Sequence, residues 1–319
     1  MRVVADLLSE ELGRIDRLAE ANRRNRSAET DELLIKARRD GASLVLSSRC
    51  RGDIPEPPSE DPFAGTTGLP EIDAAQLTAA HLASALLLHG ALLVRALVGA
   101  VHLDILTRLL DKKDVTQTAG DGDREASDRR EIASTMRKGL PTMRCTPDAC
   151  HDIIEMYKDV GVGETISEYL GERPLLVAER LRLGRQRQGA GIAWHQDGAF
   201  YGAFGAVGVW LAITPSGDDA PALTLIPRRF NDLFEVGPEE SYPLPLAYID
   251  RLTPDLIREF RGDYPISSPT FGAGDALFLD EMTLHRTSEC EWKRPHKDVA
   301  LTWFFAPSRF PVGFTPLIF

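Results

Sequence analysis

The strongest constraint on the fold is a series of short segments, beginning near residue 180, in which apolar residues occupy alternate positions. Successive side chains of a β-strand point to opposite faces, so a period of two predicts strands with at least one buried face. Glycine and proline separate the segments, as expected between strands. The segments are RLRLGRQ, AVGVWLAIT, ALTLI, DALFLD and VALTWFF. Several such strands in succession predict an antiparallel barrel or sandwich.

The chain before this region is helical in pattern. Apolar residues three or four positions apart predict two amphipathic helices within residues 1–46. A helix, a buried strand and a second helix are predicted between residues 72 and 110, and a further helical segment from Cys150 to Leu170. We therefore predict a mainly β fold whose flanking helices pack on one outer face.

The distribution of proline, glycine and charge predicts the domain organisation. A stretch rich in proline, glycine, serine and acidic residues ends at Pro70 and is typical of a linker. We predict a helical extension over residues 1–52, a linker over 53–70 and one main domain over 71–319. Residues 112–139 are highly charged, which predicts a long loop that is either a functional lid or a surface excursion.

Composition excludes several classes of partner. The net charge of -11 repels polyanions, which counts against nucleic acid and anionic membranes. The apolar stretch over residues 82–101 contains His89, Gly90 and Arg95, so it predicts a buried helix and strand rather than a membrane span. The four cysteines form no C-x-x-C pair, and the acidic N-terminus lacks the features of a secretion signal. A cytoplasmic protein with reduced thiols and a small-molecule partner is expected.

The segment WHQDG carries the first two candidate metal ligands, His195 and Asp197. In an extended segment, residues two positions apart point to the same side, so the imidazole and the carboxylate can reach one metal ion. An H-x-D pair alone occurs often by chance, and a metal site therefore needs a third ligand.

The third candidate is His285, where the strand-like run in GAGDALFLDEMTLHRTS ends, 90 residues beyond His195. Two histidines and one carboxylate form the facial triad of non-haem iron(II) oxygenases, which leaves coordination positions open for a cosubstrate and O₂. A structural zinc site would use four protein ligands, often thiolates, and no cysteine lies near the H-x-D in sequence. We therefore predict that His195, Asp197 and His285 bind iron(II).

The segment WKRPHKD, just before the last alternating run, supplies candidate cations. A dicarboxylate such as 2-oxoglutarate would chelate the metal through its 2-oxo acid end, and its far carboxylate would then need a fixed positive charge. Arg294 and Lys297 are the two candidates. The alternative is a turn of solvated charges between two strands.

The ordered set WHQDG, VWLAIT, PALTLIPRR, GDALFLDEMTLHRT and the basic segment resembles the phytanoyl-CoA dioxygenase family. The resemblance extends from about Pro70 to the end of the sequence and is strongest between Trp194 and Phe305. It implies a double-stranded β-helix, also called a jelly roll, with a cupin-like core.

The resemblance also implies roles for individual residues. His195, Asp197 and His285 match the iron-binding positions, and a basic residue after the distal histidine would bind 2-oxoglutarate. By the same resemblance, Gln196 and Trp210 line the cosubstrate pocket. The sequence PRRF, beginning at Pro227, departs from the turn that the family usually carries there, so the resemblance assigns it no role.

The expected activity is that of an Fe(II)- and 2-oxoglutarate-dependent dioxygenase. As the resemblance implies, such an enzyme uses O₂ to hydroxylate a small molecule and releases succinate and CO₂, while desaturation, ring closure and epimerisation remain alternatives. One rival is a cupin-like metal-dependent lyase or isomerase without an oxo acid, against which the basic segment argues. Another is a non-catalytic binding module, against which the complete ligand set argues.

Overall fold

The structure is a computed structural model that describes residues 2–48, 55–116, 147–178, 181–188, 194–201, 205–233 and 265–319. Its helices are α1 (Arg2–Arg24), α2 (Ala28–Ser48), α3 (Ala79–His89), α4 (Ala100–Thr116), α5 (Pro147–Asp159), α6 (Val162–Leu170) and α7 (Gly198–Tyr201). Its strands are β1 (Glu71–Asp73), β2 (Ala91–Arg95), β3 (Leu175–Val177), β4 (Arg182–Arg187), β5 (Val207–Ala212), β6 (Leu223–Arg229), β7 (Ala276–Asp280), β8 (Thr283–Thr287), β9 (His296–Phe305) and β10 (Pro316–Ile318).

The strands form one large and one small sheet. The large sheet has the order β1, β2, β7, β5, β9, β3, β10, and β4 also pairs with β9. The small sheet pairs β6 with β8, and a single bridge adds His195 beside β8. From β5 to β9 the chain alternates between the sheets, and that alternation is the winding of a double-stranded β-helix.

The large sheet is buried on both faces, which explains why its strands are so apolar. On β9, even-numbered residues such as Phe304 pack in the core formed with α3, α4, α5 and α6. Val299, on the opposite face and toward the start of the strand, faces the small sheet and contributes to a second core with Trp210 and Leu225. Val209 and Trp210 point to opposite faces because neighbouring residues in a strand alternate.

The two N-terminal helices cover a third part of the core. Side chains of α1 and α2, including Ile15 and Leu34, pack with Trp303, Phe305 and Ile318. Buried Arg38 of α2 donates to Ile318 O at 3.0 Å and lies 3.4 Å from the Glu155 carboxylate. These contacts bring the predicted extension against the sheet, and the predicted boundaries at residues 52 and 70 stay predictions.

Most predicted elements are confirmed, but the helix predicted from residue 72 begins only at Ala79, after β1. The predicted helical segment from Cys150 to Leu170 is two helices, because Gly161 adopts a left-handed conformation with φ 73° between them. The run predicted to end at His285 is two strands in different sheets, separated by Glu281 and Met282, and His285 lies in the middle of the second.

Three short strands could not be predicted from the sequence, and one predicted loop lies mostly outside the described residues. β1, β3 and β10 have three residues each, too few to show a period of two. The loop predicted over 112–139 is helical as far as Thr116, and its remainder lies outside the described residues. Within the described ranges, no helix combines the length and the apolar character needed to cross a bilayer.

We predict that Gly163→Ala destabilises the protein by about 1–3 kcal/mol, although alanine normally favours a helix over glycine. A Cβ at this position would overlap the ring of Phe319, which is packed against α6. Gly13→Ala in α1 is the control, because its Cβ would meet only the mobile end of Arg17 at 3.3 Å. Chemical denaturation followed by circular dichroism measures both, and equal stability of the two variants would contradict the packing argument.

Candidate metal site

Two of the predicted ligands are paired across the small sheet. His195 N donates to His285 O at 2.9 Å, and His285 N donates to His195 O at 3.0 Å. Directly opposed residues of an antiparallel pair point to the same face, and the two imidazole centroids are accordingly 4.2 Å apart. The Cα partner of His285 on β6 is Leu225, which lies in the core between the sheets. Both imidazoles therefore lie on the inner face.

Asp197 completes the cluster from the turn that follows His195. Its Oδ1 lies 3.6 Å from Nε2 of His195, and its Oδ2 lies 3.4 Å from Nε2 of His285. Both histidine side chains are 6% exposed, whereas the Asp197 side chain is 14% exposed. One ligand atom from each residue lies within 4.8 Å of the others. The structure thus brings the three predicted ligands together.

The surroundings of His285 prepare its imidazole for a metal. Nδ1 lies 3.0 Å from Thr283 O, which assigns the ring proton to Nδ1 and leaves the Nε2 lone pair on the side of Asp197. Burial, followed by the neighbouring imidazole of His195, lowers the pKa of His285 to about 4. The ring is therefore neutral at neutral pH, which is the form that coordinates metals.

The donor set fits iron(II). Two imidazole nitrogens and one carboxylate on one side of a site form a facial triad. Within the described part of the chain, the cluster contains no fourth histidine, cysteine or acidic side chain, as a closed structural zinc site would need.

The structure separates the two candidate cations for a cosubstrate. Lys297 is 2% exposed, and its Nζ donates to Pro221 O and lies 5.7 Å from the centroid of the Trp210 ring. Burial lowers the pKa of Lys297 to about 8. Arg294 is more exposed, donates to Pro215 O and pairs with Asp219. Lys297 is thus the buried cation, while Arg294 is held in a surface ion pair.

The other two predicted cosubstrate residues have different surroundings. Trp210 lies in the core between the sheets, with its ring 4.7 Å from that of Phe271. The Gln196 amide donates to Met282 O at 2.8 Å and to Asp232 O at 3.2 Å, so it holds the backbone next to the ligands. Their assignment to the cosubstrate stays a prediction.

The structure also locates arginines of β4 and of the PRRF segment. Arg182 pairs with Leu301 and so shares the inner face, whereas Arg180 lies outside the described residues. Arg185 points to the helical face, where it binds both carboxylate oxygens of Asp298 at 2.9 Å. Arg229 donates to Asp280 at 3.0 Å.

The sequence prediction missed a buried carboxylate pair beside the site. Asp280 is the last residue of β7 and Glu281 the first residue of the turn before β8, and they are 2% and 0% exposed. Burial, with a smaller contribution from Asp280, raises the pKa of Glu281 to about 8. The sequence contains an indication of this pair, because two acidic residues interrupt the apolar run FLDEMTL. Exposed charges are not expected within such a run.

Comparison with protein families gives one match. The family model described as Phytanoyl-CoA dioxygenase (PhyH) matches residues 88–290, which is more than half of the chain. The matched range contains all three candidate ligands and ends before the basic segment. Curated proteins give no significant match.

Solved structures with a similar fold have low sequence identity. EctD from S. alaskensis, crystallised with 2-oxoglutarate and 5-hydroxyectoine, is 14% identical with a TM-score of 0.52, and the match covers 82% of this chain and 86% of EctD. The epimerase SnoN, in complex with Fe3+, alpha ketoglutarate and nogalamycin RO, is 16% identical with a TM-score of 0.44, covering 71% of this chain and 83% of SnoN. The likeness to EctD confirms the predicted jelly-roll fold.

We predict that His195→Ala, Asp197→Ala and His285→Ala each abolish high-affinity metal binding and succinate formation, because each removes one of three ligands. Far-UV circular dichroism should show that the sheet is retained, since the strands do not depend on the metal. Metal binding by calorimetry at the wild-type affinity in any one variant would remove that residue from the site.

Proposed function

This chain belongs to the phytanoyl-CoA dioxygenase family and is an iron- and 2-oxoglutarate-dependent oxygenase, and we propose that His195, Asp197 and His285 hold its iron(II). We further propose that it hydroxylates a small molecule and releases succinate and CO₂. The observation that carries the proposal is a facial set of three ligands and a buried ammonium, that of Lys297, in the interior of the same double-stranded β-helix.

Lys297 is the residue that we propose for the far carboxylate of 2-oxoglutarate. A buried ammonium costs several kcal/mol unless an anion or several acceptors compensate it. Its described surroundings are one carbonyl, one aromatic face and the nearby Cys290 thiol, with no ion pair to a carboxylate of the described residues. A dicarboxylate that enters the interior would supply the missing charge and make the buried position favourable.

The residues around the metal would then each have one task. When bound, iron(II) supplies the redox chemistry by which O₂ and 2-oxoglutarate oxidise an unactivated C–H bond. Thr283 fixes the orientation of His285, and Gln196 fixes the backbone between the other two ligands. Trp210 and its apolar neighbours exclude water beside Lys297, which strengthens the attraction between the ammonium and a carboxylate.

The buried lysine also bears on the rival activities. A cupin-like lyase or isomerase would use the three ligands without an oxo acid and would have no use for a destabilising cation in its interior. A non-catalytic binding module would need neither the cation nor three converging ligands. Hydroxylation is the outcome we propose, since it requires no residue beyond the ligands and the cosubstrate site.

We propose a cytoplasmic enzyme that acts on a small molecule and binds neither nucleic acid nor membrane. The net charge of -11 supports the exclusion of polyanionic partners. The free thiol of Cys150, which is buried, is compatible with a reducing compartment.

Lys297→Met should weaken 2-oxoglutarate binding by at least 100-fold, whereas Arg294→Met should change it by less than about fivefold. Removing a desolvated charge leaves the far carboxylate unpaired, whereas Arg294 already has a surface partner. Calorimetric titration of 2-oxoglutarate into Co(II)-loaded protein under nitrogen measures both variants.

Thermal denaturation is the control for this pair. Without 2-oxoglutarate, Lys297→Met should be at least as stable as the wild type, because it replaces a desolvated ammonium by an apolar chain of similar length. Equal 2-oxoglutarate affinity in all three proteins would exclude the basic segment as the cosubstrate site.

The 2-oxoglutarate affinity should also fall as pH rises above about 8. Because the folded-state pKa of Lys297 is depressed to about 8, the ammonium is present below this pH and is lost above it. The apparent dissociation constant should be flat between about pH 6.5 and 7.5 and should then rise by up to about tenfold per pH unit. Lys297→Arg should remove this rise, since a guanidinium stays charged. A wild-type profile that is flat to pH 9.5 would contradict the role of Lys297.

A further inference from the structure

Glu281 contacts both ends of the segment that follows the ligand Asp197. Its backbone carbonyl accepts a hydrogen bond from Gly198 N at 2.8 Å, directly after Asp197. Its carboxylate accepts from Gly205 N and, at 2.6 Å, from Ala206 N, directly before β5. One residue of the β7–β8 turn therefore holds the first and the last described parts of the chain between Asp197 and β5.

Both ends of this segment are packed too closely for a larger residue. A Cβ on Gly198 would lie 3.0 Å from Met282 Sδ and 3.3 Å from Glu281 O. Gly205 has φ +73°, a conformation that side-chain-bearing residues rarely adopt, and a Cβ there would overlap Arg309. The close approach on the Gly198 side fixes the backbone that leaves Asp197.

The described hydrogen bonds to the Glu281 carboxyl group come from backbone amides, and Arg229 adds a smaller electrostatic attraction. The adjacent Asp280 accepts hydrogen bonds from Arg229 Nε at 3.0 Å and from Met282 N at 2.8 Å. The described hydrogen bond of the Arg229 guanidinium is therefore made to Asp280 and not to Glu281. Burying a second carboxylate costs several kcal/mol, which an apolar residue in this turn would avoid. Each of the two converging N–H groups meets its own oxygen of Glu281, whereas a glutamine would offer one oxygen and one N–H₂ group.

We propose that Glu281 is a positioning residue that fixes the Asp197 carboxylate in the geometry that binds the metal. The inference rests on the proposed metal site and goes beyond it, because Glu281 is not among the candidate ligands. The carboxyl group of Glu281 anchors its turn to the residues before β5, the main-chain carbonyl of the same residue then holds the chain immediately after Asp197, and the turn leads into the strand of His285. Outer residues that orient ligands typically change metal affinity by 10- to 100-fold.

The test compares Co(II) binding by the wild type, Glu281→Gln and Glu289→Gln. Glutamine keeps the size of Glu281 but places an N–H₂ against one of the two backbone N–H groups. Glu289 is the matched control, because its side chain is 81% exposed and its described ion pair is the local one with Arg286. Glu281→Gln should bind Co(II) at least tenfold more weakly and show altered visible d–d bands, whereas Glu289→Gln should match the wild type.

Each other outcome has a defined meaning. If Glu281→Gln melts at a lower temperature but binds Co(II) with the wild-type affinity and spectrum, its role is structural only and the proposal is wrong. If the wild type itself binds no Co(II), the proposed metal site fails, and the role of Glu281 fails with it. Loss in the variant alone supports Glu281 and leaves the metal site intact.

Hydrogen–deuterium exchange on the wild type decides the matter if Glu281→Gln does not fold. Added Co(II) should slow exchange of the Gly205 and Ala206 amides, because ordering of Asp197 by the metal should stabilise the segment that Glu281 holds. Unchanged exchange at both amides, with Co(II) bound, would overturn the proposal.

Discussion

Two backbone hydrogen bonds, at 2.9 and 3.0 Å, connect His195 with His285 across 90 residues of sequence. Much of the site follows from this pairing. It fixes the separation of the two imidazoles, and it sets which face of the small sheet they occupy. A shift of one residue in register would turn one imidazole away, because side chains alternate between faces. The jelly-roll winding therefore matters to the chemistry mainly because it fixes the register in which His195 pairs with His285.

The sequence was sufficient for the parts of the structure that depend on local periodicity. Short apolar runs such as VGVWLA and DALFLD, bounded by glycine or polar residues, predict buried strands from the sequence alone. It could not separate Arg294 from Lys297, since both are cations near the same strand. Their difference arises from β9, where Lys297 shares the inward parity of Val299, whereas Arg294 precedes the strand. Likewise, the sequence through Asp280 and Glu281 resembles one continuous strand. The turn there becomes evident only from the structure, in which β7 and β8 pair in two different sheets.

Lys297 and Glu281 share a physical property despite their opposite charges. Both lie in surroundings that disfavour their ionised forms, as the pKa values of about 8 for each of them indicate. Such residues lower the stability of the empty protein, and natural proteins commonly accept this cost where a ligand is to be bound. The apolar cores on both faces of the large sheet supply the stability that offsets it.

The packing of α1 and α2 has a consequence for the behaviour of the polypeptide outside its native state. These helices cover the ends of β3, β9 and β10, including Val177, Trp303 and Phe305. A fragment starting after the predicted linker would expose this aromatic surface together with the edge strand β10. Unpaired edges beside apolar faces favour intermolecular strand pairing. Once the sheet has formed, the N-terminal helices would thus protect the jelly roll against aggregation by covering this surface.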